Sequence, residues 1–159
     1  MKRCKYAVWF LTLACMAAIF CFSAENADKS DNTSQSVTKQ VLSGFSSFRE
    51  LPEERQTEIV ENVQFSVRKL AHFSIYTCLG MLMRLSFCFI SVKGKKAVWS
   101  FCACVLYAMS DEFHQYFVPG RSCEVRDVCI DSLGALAGTL IVAAIIYFVC
   151  RHKRKKNLQ

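Results

Sequence analysis

The sequence predicts an all-α fold: a membrane bundle of four transmembrane helices, with an outer amphipathic helical segment between helices one and two. Three observations predict it. Apolar residues make up 53% of the 159 positions, and mean hydropathy is +0.23. Those residues gather in four blocks, 7–24, 70–92, 97–110 and 128–150. Basic residues cluster beside alternate ends of the blocks, as they do in multi-pass chains. The expected layout is a single membrane domain over 1–159. Its spans are 7–24, 70–92, 97–117 and 128–150, with an outer segment 25–69 and a basic cytoplasmic tail 151–159.

Crossing the hydrocarbon core takes about 20 mostly apolar residues. The second and fourth blocks meet that length and the first is close to it. The first also follows a basic start, "MKRCKY", as a secretion signal would. However, Phe22 stands where a cleavage site before Ala24 needs a small side chain, so the block reads as a retained anchor. The third block stops at Asp111. It spans only if "DEFHQYF" completes the helix before Pro119-Gly120 turn the chain.

Between the first two blocks, "SAENADKSDNTSQS" has the composition of a flexible linker. Val37, Val41, Phe45 and Phe48 then recur at spacings that share one helical face. Pro52 followed by Glu53 and Glu54 suits a helix start, because Pro fits the first turn and acids favour the positive end of the dipole. Nothing breaks the chain from there into the second block, so one long helix is expected to stand out of the bilayer and continue into it.

Charge orients the bundle. With the amino terminus in the cytoplasm, the cytoplasmic pieces are 1–6, 93–96 and 151–159. They hold eleven of the 20 Lys and Arg and none of the 13 Asp and Glu. Both termini are then cytoplasmic, and the +7 net charge is an anchor beside anionic lipid, with no nucleic-acid partner implied. Most of the ten cysteines lie in the apolar blocks as small hydrophobes, and no CxxC pair occurs.

This orientation places three polar motifs at one outer end. "RKLAH" opens helix two, "DEFHQ" closes helix three and "RDVCID" opens helix four. Arg68 and His72 share a face four residues apart, with Tyr76 one turn deeper. Asp111, His114 and Gln115 share another, with Glu112 rotated off it toward Tyr116. Asp127 and Asp131 share a third, above the small residues Gly134, Ala135 and Gly138. Such a stripe serves close packing within the bundle or pairing between copies. Asp111 would sit roughly 7 Å below the outer boundary, from the rise per residue of a helix. Ionisable groups at that depth are expensive and mark candidate sites. Lys69 and Arg126 fit interfacial charges reaching for water.

The candidate catalytic set is therefore Asp111, Glu112, His114, His72 and Asp131. The candidate binding set is Arg68, Gln115, Arg121 and Asp127. Three chemistries fit these residue types. Asp111, His114, His72 and an aspartate of helix four admit a divalent metal, although no cofactor is specified by spacing alone. A histidine paired with a carboxylate supports acid–base work, with Arg68 or Arg121 holding an anion. The same groups also suit a non-enzymatic pocket for an envelope lipid or an antibiotic.

At "FSAENADKS", "VRKLAHFSIYTCLG" and "LYAMSDEFHQYFVPGRSCEVRDVCIDSLGALAG" the chain resembles the VanZ-like membrane proteins of bacteria, over roughly residues 8–148. It carries Glu25 where the family often has Gln. The resemblance implies a multi-pass protein of the bacterial plasma membrane that acts at the outer face on the cell envelope. It also implies an association with resistance to the glycopeptide teicoplanin. The partners implied are membrane lipids and a cell-wall lipid precursor or glycopeptide. The alternative is a membrane-embedded hydrolase or transferase of a phosphate-bearing envelope lipid, using an Asp/His/Arg site.

Overall fold

Helix follows apolarity along this chain, and then runs past it. In the computed structural model, which describes residues 2–92 and 95–156, six α-helices follow in order. They are α1 (Lys2–Ser23), α2 (Ala27–Leu42), α3 (Ser46–Arg49), α4 (Glu53–Ser86), α5 (Lys96–Gln115) and α6 (Val125–Lys156). A short 3₁₀ turn, Phe87–Phe89, follows α4. The Lys-rich turn expected between helices two and three lies partly outside the described residues, as does the end of the basic tail.

Three helices, α1, α4 and α6, are long and apolar enough to cross a membrane. The fourth expected span, α5, falls short of the same measure. Its 20 residues include Asp111, Glu112 and His114 in the last turns, which cut its apolar length. Its end still matches the expectation. The Arg121 N–H donates to the Val118 carbonyl at 3.1 Å, closing a turn with Pro119 and Gly120 at its centre. Gly120 has φ 76°, as the third position of such a turn requires.

The polar stretch expected as a linker is mostly helix α2. Asn26 caps it, accepting the Lys29 N–H on Oδ1 at 3.0 Å. Ser, Thr and Asn are poor helix interiors on their own, so packing decides: α2 lies on α4, tied by an Asp31–Arg68 ion pair. The expected apolar face is divided by the turn at Leu42–Phe45. Val37, Val41 and Phe45 stay exposed, while Phe48 on α3 is buried.

The long fourth helix is as expected, with Pro52 as its N-cap. Its 34 residues extend roughly 50 Å at 1.5 Å per residue, well beyond a ~30 Å hydrocarbon core. It is the central element, packed against α1, α2, α5 and α6. The core joins Ile19, Tyr76, Leu79, Met83, Cys104, Ala108 and Ala135. Large apolar side chains such as Phe10, Leu70, Leu106, Leu140 and Phe148 face outward, as a lipid-facing surface does.

The α4–α6 contact is set by glycine. A β-carbon on Gly134 would stand 2.4 Å from the Phe73 carbonyl oxygen, and one on Gly80 2.3 Å from that of Ala135. The small-residue stripe is therefore used inside one chain. This decides between the two roles the sequence left open.

Candidate functional site

Three elements bring the polar motifs to one end of the bundle. α5 supplies Asp111, Glu112, His114 and Gln115, α4 supplies Arg68, Lys69, His72 and Tyr76, and α6 supplies Asp127 and Asp131. The α5–α6 turn adds Arg121. Four of these side chains are buried: Asp111 (3% exposed), Glu112 (2%), Gln115 (5%) and Asp131 (2%).

Asp111 lies buried within a chain of polar contacts. Tyr76 Oη and Gln115 Nε2 each donate to its Oδ2 at 3.4 Å, both long contacts. Gln115 Oε1 accepts from Arg121 Nη1 at 3.0 Å, and Arg121 Nη2 donates to the Phe22 carbonyl at 3.2 Å. Arg121 thus fastens the turn to the end of α1. Burial is the main influence lowering its pKa, and the nearby Arg68 charge adds to it. Asp111, Glu25 and Glu112 push the other way. Glu112 is buried as well as rotated: its Oε1 accepts the Glu124 N–H at 2.6 Å, holding the start of α6.

On the facing side, His72 Nδ1 lies 3.7 Å from Asp131 Oδ1. Lys69 pairs with Asp127 through both carboxylate oxygens. Lys69 and Arg126 also sit over the Phe65 ring, 5.1 and 5.2 Å from its centre. The lysine expected as an interfacial charge is therefore a structural partner of α6. Arg126 pairs with Glu124 at 2.9 Å.

His114 stands apart from this group. Its ring stacks on Phe20, 4.5 Å between centres, and Nε2 is buried without a hydrogen-bond partner. Asp111 Oδ1, Asp131 Oδ1 and Ser23 Oγ are also buried with no hydrogen-bond partner. Burying a carboxylate costs on the order of several kcal/mol unless it is well paired. Among the described residues, neither Asp111 nor Glu112 has a Lys or Arg within ion-pair distance.

Two cavities meet here. One, of about 150 Å³, is lined by Asp31, Arg68, Lys69, His72, Gln115, Arg121 and Asp127, among others. The second, of about 230 Å³, is largely apolar, with Ile19, Phe22, Val37, Val67, Ala71 and Ile75 in its walls. Arg68, His72 and Arg121 line both. Gly120 closes the first cavity against α2, and a β-carbon there would come within 3.0 Å of the Ala27 side chain. Among the described residues, no three His, Cys, Asp or Glu side chains meet as a group able to hold a metal ion.

The sequence reading missed Asp31, Ser23 and Phe20. Asp31 lies in the stretch assigned to a linker. The Asn26 capping signal was the available clue that a helix, and so a fixed carboxylate, begins there. Nothing local could have indicated Ser23 or Phe20.

The fold and site define a class: an all-helical membrane protein with buried acids beneath a polar cavity, lined by cations and acids together, at one end of its bundle. Its family follows from comparison with known proteins. The chain belongs to the VanZ/LLP1 family, whose model matches residues 8–148. No curated protein and no solved structure matches the chain.

Proposed function

We propose that this chain is a four-span protein of the bacterial plasma membrane, with both termini cytoplasmic, that binds an anionic envelope ligand at its outer face. One observation carries the reading. Arg68, Lys69, His72 and Arg121 converge on a single cavity beside Asp31, Glu124 and Asp127. Asp31 pairs with Arg68 and Asp127 with Lys69, and the guanidiniums of Arg68 and Arg121 suit a phosphate or carboxylate that shares or displaces those acids. The 20 residues of α5 suffice for a fourth span, since a helix of that length covers about 30 Å. The acids that weaken its apolarity are buried inside the bundle. The three basic clusters support the orientation. A cell-wall lipid precursor or a glycopeptide such as teicoplanin is the ligand class that family membership favours, and resistance is the matching phenotype.

A specific pair favours a second reading, hydrolysis or transfer on a phosphate-bearing lipid. His72 lines the cavity and leans back on buried Asp131, the arrangement of a general base and the carboxylate that orients it.

The two readings separate in cells lacking their own copy of the protein. A binding module loses teicoplanin resistance or lipid phenotype gradually with Arg68→Lys or Arg121→Lys. An enzyme is abolished by His72→Gln or Asp131→Asn while the protein stays folded and inserted. If none of the four changes teicoplanin susceptibility or envelope lipids, the cluster is structural and both readings fail.

A further inference from the structure

The anion cavity is half of a larger arrangement. Its neighbour is a largely apolar groove between α1, α2 and α4, with Phe22 from α1 and Val67, Ala71 and Ile75 from α4, while the α2 wall sets Val37 beside Ser30, Thr33 and Ser34, and Glu25 lies at the edge. The groove runs to the same Arg68, His72 and Arg121 that face the polar cavity. A water-soluble anion has no use for such a groove, and a neutral lipid has no use for two guanidiniums at its end.

We infer that the two cavities form one site for a single phosphate-bearing membrane lipid, with its head among Arg68, Lys69 and Arg121 and its hydrocarbon chain along the groove. This rests on the anion-binding reading above and adds the tail. Ligand sites of this kind are mostly apolar, with a few polar groups that fix orientation. Two walls of the groove, α1 and α4, are helices apolar enough to cross the membrane, so a chain leaving the groove stays in hydrocarbon. The third wall, α2, is held by the Asp31–Arg68 pair. Asp31 thus occupies one edge of the guanidinium, and a lipid phosphate either shares that guanidinium or displaces Asp31.

The test titrates the purified full chain with dioleoyl phosphatidic acid and dioleoyl phosphatidylcholine and counts bound lipid by native mass spectrometry. Two groove-filling variants, Ala71→Trp on α4 and Val37→Trp on α2, change exposed positions. Misfolding of one leaves the other to decide. Wild type is expected to prefer phosphatidic acid by about tenfold, a difference ordinary for one charge-assisted contact set. Each groove variant is expected to lose about tenfold in phosphatidic acid binding, and Arg121→Ala to erase the preference between the two lipids. If the preference persists and both groove variants bind like wild type, the tail site is overturned while the anion reading stands. If wild type shows no preference, the anion reading fails and the tail site falls with it.

Discussion

Gly138 lies so close to α4 that a β-carbon placed on it would stand 2.0 Å from the Thr77 carbonyl oxygen. That contact is backbone against backbone, so no side chain can yield. Gly138→Ala is therefore expected to force α4 and α6 apart. The cost should be about 1–3 kcal/mol, the range for overpacking a close contact. Thermal unfolding in detergent checks it, with Leu140→Ala on the exposed face of α6 as a control that changes little.

The α5–α6 turn should be similarly intolerant. Gly120 needs its positive φ, and a β-carbon would press on Ala27. Gly120→Ala is expected to lose at least about 1 kcal/mol from the left-handed conformation alone. The same unfolding measurement reads it. An unchanged midpoint would mean that the turn relaxes without its neighbours.

Asp111 should show the opposite balance. It is buried, with only long contacts from Tyr76 and Gln115. A neutral amide is cheaper to bury than a poorly paired carboxylate. Asp111→Asn is therefore expected to keep or raise the melting temperature while reducing the cellular phenotype. Parallel measurement of both quantities checks this. A large loss of stability would make the acid a structural element.

The proposed topology rests on the charge pattern and can be read directly. Reporter fusions after residues 30 and 124 are expected to report outside, and fusions after 95 and 156 inside. An inside signal at 124 would place the polar end in the cytoplasm and remove the outer-face reading.

Much of this was legible in the sequence, and the reasons are local. The blocks around Leu79 and Val142 reveal membrane-length helices because hydrocarbon rewards continuous apolarity. Val118-Pro119-Gly120-Arg121 reveals its turn because Pro and Gly restrict backbone angles in opposite ways. Spacing alone placed Asp111 beside Gln115. It could not separate His114, whose ring turns to Phe20 on α1, because that choice depends on a distant helix. Helix α2 offered only its Asn26 cap as a signal, for the same reason. Asp31 and its neighbours are weak helix formers held by contact with Arg68, a partner 37 residues away. Likewise, Gly134 and Gly138 promised a close contact without naming the helix that makes it.

The central claim is that Arg68 and Arg121 hold an anionic lipid head. Lipid mass spectrometry on the purified protein tests it most directly. Phosphate-bearing lipid is expected to copurify with wild type and to fall about tenfold in the Arg68→Ala/Arg121→Ala double variant recovered in equal yield. Equal lipid content in the two preparations would contradict the claim.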